Sequence, residues 1–93
     1  MSALRRIFHR YADVRGIKPK RYSKVKKLKE ETHELVDAIK DHKKSMTMNT
    51  KTRVMEETAD VVWCLTAISE KYGFTIEEAL DLKTARDVGR NKN

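Results

Sequence analysis

Apolar residues in this chain recur every third or fourth position in four separate stretches, and nowhere do they alternate with polar ones over a strand's length. That pattern restricts the fold to packed amphipathic helices, because a period of 3.6 lines one helix face whereas a period of two lines one strand face. The first stretch, roughly 3–14, carries Leu4, Ile7, Phe8, Tyr11 and Ala12, and Ser2 is placed to cap it. Gly16 and Pro19 interrupt the pattern, so 15–22 is predicted to be a loop. Ser23 is the expected cap of a second helix, roughly 24–43, whose stripe holds Val25, Leu28, Leu35, Ala38 and Ile39. Residues 45–50 have no period and read as a connection. A third helix, roughly 52–72, carries Val54, Val61, Cys64, Leu65 and Ile68, and Gly73 follows where a left-handed residue ends a helix. Thr75 and Glu78 form a capping box for a fourth helix, roughly 76–88, with fraying expected from Gly89 onward. The expected fold is therefore all-α, one domain over 1–93, in which four helices with short links form an antiparallel bundle.

Charged residues make up 38% of the 93 and aromatics 6%, which disfavours a small β-sandwich and suits exposed helices. One cysteine, Cys64, allows neither an internal disulfide nor a cysteine pair for zinc, and reads as a small buried hydrophobe. No apolar run approaches the ~18–20 residues of a membrane span, and no signal-peptide core opens the chain, so a cytoplasmic protein without a membrane partner is expected. The net charge of +7 is unevenly spread: residues 1–29 hold eleven Lys and Arg against Asp13 alone, and the rest holds ten against thirteen acids. A basic arm of this kind attracts polyanions, or else is a solvated face that keeps a small protein soluble.

The acids of the middle two helices sit where leucines belong. At about 100° per residue, Glu57 falls inside the third helix's apolar stripe, about 20° from both Ile68 and Cys64, with Asp60 about 60° away at its edge. On the second helix Glu31 falls about 20° from Ala38 and 40° from Leu35, with Glu34 again at about 60°. Two acidic i, i+3 pairs thus face the core from adjacent helices. Unpaired, such carboxylates repel and are poorly solvated. A hard divalent cation between them removes both penalties, and an oxygen-only donor set suits Mg²⁺ or Mn²⁺ over zinc or copper. Solvated helix-edge acids are the alternative, and two matched pairs argue against it.

The run Lys27-Leu28-Lys29-Glu30-Glu31-Thr32-His33-Glu34-Leu35, then Glu57-Thr58-Ala59-Asp60, with 22 residues between Glu34 and Glu57, resembles the MazG-like all-α nucleoside triphosphate pyrophosphatases, whose pattern is EExxE followed by ExxD. The continuation Tyr72 to Leu80 and the basic helix after it are also similar, so the likeness covers roughly 24–90, beyond the basic helix and loop of 1–22. The resemblance implies Mg²⁺ ligands at Glu31, Glu34, Glu57 and Asp60, with Mn²⁺ as the natural substitute, and Glu30 as a supporting acid. It implies phosphate contacts from Lys83, Arg86 and Arg90, although Asp87 stands where the family commonly has Asn. It also implies a homo-oligomer, dimer or tetramer. One hairpin of two long helices is too thin to cover its own apolar faces, which points to the same completion of the bundle.

The function this implies is Mg²⁺-dependent cleavage of ribo- or deoxynucleoside triphosphates to monophosphate and pyrophosphate. Glu30 or Glu34 is the candidate to orient the attacking water. Trp63, on the outer side of Asp60, is a candidate base-stacking residue, with a core or subunit contact as the alternative. His33 lies about 160° from Leu35 and is expected to face away from the site. A rival function is a nucleic-acid-binding helical module, in which the basic side chains of 1–29 contact phosphates and Tyr11 and Tyr22 stack on bases. A di-iron bundle is a third reading, from Glu30-x-x-His33, but it needs that motif on two helices and the third helix lacks it.

Overall fold

The computed structural model describes residues 2–91, with side chains from 2 to 89. It contains α1 (Ala3–Arg15), a 3₁₀ turn (Pro19–Ser23), α2 (Val25–Lys44), α3 (Met48–Lys71) and α4 (Ile76–Asn91), and no strand among the described residues. The all-α expectation holds. No helix among the described residues is long and apolar enough to cross a membrane.

Most boundaries have a local chemical cause. Ser2 Oγ accepts the Arg5 N–H at 3.3 Å, as expected of the α1 cap. At the other end Gly16 is left-handed, and the Gly16 and Ile17 N–H groups donate back to Asp13 and Ala12 at 3.1 and 2.9 Å. Gly73 does the same for α3 at φ 80°, with Gly73 and Phe74 donating to Glu70 and Ser69 at 3.3 and 2.9 Å. The Thr75–Glu78 box forms as expected, its two reciprocal bonds measuring 3.2 and 3.0 Å.

Several expected boundaries move. The 15–22 loop is largely the 3₁₀ turn, which Pro19 starts. Ser23 does not cap α2: it is buried, its hydroxyl donates to the Lys20 carbonyl at 2.7 Å, and the cap position falls on Lys24 with no side-chain bond. The 45–50 connection shrinks to 45–47, because Thr47 and Thr50 cap each other's backbone N–H at 3.1 and 3.0 Å and start α3 at Met48. Helix α4 continues through Gly89 to Asn91.

A three-residue link forces α2 and α3 into an antiparallel hairpin, the main packing contact of the molecule. An Arg53–Asp41 ion pair and a 2.7 Å His42–Thr50 hydrogen bond pin its turn end. On one flank lies the core cluster of Phe8, Tyr22, Cys64 and Ala67, with Tyr11, Ile17, Leu28 and Trp63 packed around it. Its rings interlock: Phe8 meets Tyr22 edge-on at 5.6 Å, and Tyr11 stacks on Trp63 at 5.3 Å. The 3₁₀ turn joins this cluster through Tyr22, so the chain between α1 and α2 is anchored against α3.

Helix α4 packs lightly against α3 and meets the start of α1 through Glu77, and polar contacts hold that junction. Arg5 donates to the Phe74 carbonyl at 2.8 Å, Ser2 donates to Glu77, and Glu70 forms an ion pair with Arg5 at 3.3 Å and a hydrogen bond with His9 at 2.6 Å. Leu80 and Leu82 of α4 remain well exposed. The radius of gyration is 15.6 Å, against about 12 Å for a compact chain of this length. The protomer is an open assembly around one hairpin, and its four helices do not close on each other.

Candidate metal centre

Helix periodicity and the hairpin together bring three of the four expected ligands to one place. Glu31 of α2 and Glu57 and Asp60 of α3 each offer a carboxylate oxygen, all within 4.8 Å of one another. All three are half-buried. Glu34 is exposed and stands outside that group, but its charge acts on Glu57 from the next turn of α2.

The electrostatics are those of an under-neutralised site. Burial, then the charges of Asp60, Glu34 and Glu31, raise the Glu57 carboxyl above its ordinary value, against a smaller opposite pull from Arg53. Burial and the neighbouring Glu31, which shares a hydrogen bond with it, raise Asp60 likewise. Burial pushes the Cys64 thiol up to about 11, with Glu31 adding to the effect. Cys64 is fully buried, as its place on the stripe predicts.

Such a donor set fits a hard divalent cation. Octahedral Mg²⁺ at 2.0–2.1 Å places its oxygen ligands roughly 3–4 Å apart, so a small side-chain adjustment closes the trio around one ion. Solvent exposure on the Glu34 side leaves room for the waters that Mg²⁺ usually keeps.

Two side chains at the site went unrecognised in the sequence as parts of it. Lys27 bonds Glu31 at 3.0 Å and lies 5.3 Å from the centroid of the Tyr22 ring. The Glu31 hydrogen bond holds the Lys27 ammonium above its ordinary pKa, against the opposing effect of burial. Tyr22 is raised above the ordinary phenol value by burial, by its hydrogen bond with Tyr11 and by the nearby Asp60 and Glu31 charges. The i, i+4 spacing of Lys27 and Glu31 was the signal available for the first of these.

The remaining candidates are scattered. Glu30 is exposed beside the cluster. His33 is 76% exposed and pairs with Asp37 at 3.4 Å, facing away as expected. Trp63 is half-buried, stacked on Tyr11 and tilted against Phe8, the core contact that is the alternative to base stacking. Tyr22 is buried in the same aromatic cluster, and Tyr11 packs against it half-buried. Lys83 and Arg86 line a groove of about 520 Å³ on α4 with Phe74, Glu78, Ala79 and Leu82. Lys83 pairs with Asp87 at 3.0 Å within α4. The Arg90 side chain lies outside the described residues.

A family model described as the MazG nucleotide pyrophosphohydrolase domain matches residues 20–93. That stretch includes the 3₁₀ turn and α2–α4, hence every carboxylate of the cluster. No curated protein and no solved structure matches the chain.

Proposed function

This chain belongs to the MazG nucleotide pyrophosphohydrolase domain family, and from that premise we propose that it hydrolyses ribo- or deoxynucleoside triphosphates between the α- and β-phosphates, with Mg²⁺. The products are the monophosphate and pyrophosphate. The observation that carries the reading is the convergence of Glu31, Glu57 and Asp60 within 4.8 Å at the hairpin.

Those three carboxylates would hold the cation, and Glu34 of α2 would complete the set. A bound Mg²⁺ would supply charge to neutralise phosphate oxygens and to acidify water at neutral pH. Glu34 and Glu30 are solvent-accessible carboxylates at the edge of the cluster, able to orient a water and accept its proton as the phosphoanhydride bond breaks. Glu34 is the better placed, since its charge reaches Glu57. Lys27 steadies Glu31 through their ion pair. Chemistry of this kind belongs in the cytoplasm, where nucleotides are made and used.

We further propose that the working unit is a dimer or tetramer. In one protomer α4 packs against the end of α3 and not along α2, the helix of Glu31 and Glu34. Lys83, Arg86 and Arg90 therefore meet a nucleotide at the cluster when a second copy supplies its α4.

A panel of ribo- and deoxynucleoside triphosphates with Mg²⁺ tests the function directly. Pyrophosphate and monophosphate are the expected products, and Asp60→Asn abolishes their formation. Release of orthophosphate, or full hydrolysis by Asp60→Asn, defeats the reading.

A further inference from the structure

A group of cations lies at the start of α2, where Lys27 bonds the Glu31 carboxylate of the candidate metal centre. Arg21, Lys24, Lys26 and Lys27 line, together with Glu30, a groove of about 280 Å³. Lys27 is shared with the cluster, because it lines the groove and its ammonium bonds Glu31 at 3.0 Å. Groove and candidate metal centre thus meet at one ion pair.

Arg21, Lys24 and Lys26 make no ion pair among the described residues. Four cations against one carboxylate in so small a space repel one another, and a bound polyanion removes that repulsion. The backbone adds to the field: α2 has no side-chain cap and no acid in its first turn, so its positive end is left to the same groove. The groove is also held in place. Tyr22 and Ser23, between Arg21 and Lys24, are both buried, which fixes the two cations on either side of an anchored turn.

We propose that this groove binds the pyrophosphate portion of the nucleotide, its β- and γ-phosphates, and retains pyrophosphate after cleavage. The assignment rests on the hydrolytic reading above and gives it a direction: the base lies on the far side of the carboxylates from Lys27. Arg21 supplies planar paired donors to phosphate oxygens, and the lysines supply compact charges. The α4 cations are left to the α-phosphate and sugar side.

Titration calorimetry with inorganic pyrophosphate and Mg²⁺, at fixed ionic strength, tests the assignment without relying on turnover. Arg21→Ala with Lys24→Ala weakens pyrophosphate binding about tenfold or more and raises the triphosphate KM by a similar factor. Its Tm and its Mg²⁺-induced rise in Tm stay as in the wild type. The charge-matched control, Arg10→Ala with Arg15→Ala on the exposed side of α1, changes pyrophosphate affinity by less than about twofold, because screening leaves little beyond direct contact. Equal losses in the two pairs overturn the proposal in favour of general attraction to a basic surface. Unchanged pyrophosphate affinity in the Arg21/Lys24 variant overturns it too, as does a groove that titrates with oligonucleotides and not with pyrophosphate. If no triphosphate is hydrolysed but groove-dependent pyrophosphate binding persists, the catalytic reading falls and the anion site stands.

Discussion

Asp60 concentrates the chemistry of the site in one side chain. Its carboxyl is raised by burial and by Glu31, and Glu57 is raised for the same kind of reason. A carboxyl whose folded-state pKa exceeds its unfolded one binds its proton more tightly in the native protein. The stability it contributes is complete below the ordinary values of 3.8 and 4.5 and is lost as pH rises through the raised ones. The metal-free protein is therefore expected to gain stability from these two groups on acidification from neutrality, while the Mg²⁺-induced rise in Tm shrinks as protons compete for the ligands. Asp60→Asn should be at least as stable as the metal-free wild type at neutral pH and should lose most of the Mg²⁺ response. Scanning calorimetry with and without Mg²⁺ at two pH values checks both. A helical wheel was enough to find Glu31, Glu57 and Asp60, because facing the core is a property of each helix alone. The partners of the aromatic residues were not legible there, for the converse reason. Whether Tyr11 meets a base or Trp63 depends on α1 docking against α3, which no local period reports.

Among the elements, the α2–α3 turn shows how a cap can outweigh propensity. Ser45 to Thr50 contains no apolar period and several poor helix formers, which is why it read as a loop. Thr47 and Thr50 nonetheless form a reciprocal cap, and α3 gains its first turn from it. Thr47→Ala should cost about 1 kcal/mol, a fall in Tm of roughly 4–8 °C for a domain this small, without changing hydrolysis at low temperature. Thermal and urea unfolding measure the first effect, and steady-state kinetics the second. The glycine-terminated ends of α1 and α3 were legible because a left-handed residue leaves few choices of amino acid. The start of α2 was not, since Ser23 is spent on a bond to Lys20 and on burial.

At the scale of the molecule, apolar surface is left over. Val25, Val36 and Ile39 fall within about 60° of one another on α2, all exposed, and Met55 and Leu65 of α3 are exposed as well. A second hairpin laid on these strips would cover them, and light scattering is expected to give at least twice the 10.9 kDa chain mass. Val36→Glu with Ile39→Glu should shift that equilibrium to monomer and reduce hydrolysis with it. The same hairpin governs the order in which the chain acquires structure. A link of three residues makes closure of α2 on α3 entropically inexpensive and fast, whereas the rings of α1 reach Trp63 only across half the chain. The three carboxylates are thus expected to gather in an early, sequence-local collapse, before the aromatic cluster forms. Their mutual repulsion would then weigh on the folding barrier as well as on the finished site, and Mg²⁺ is expected to speed refolding, which stopped-flow measurements with and without the ion check.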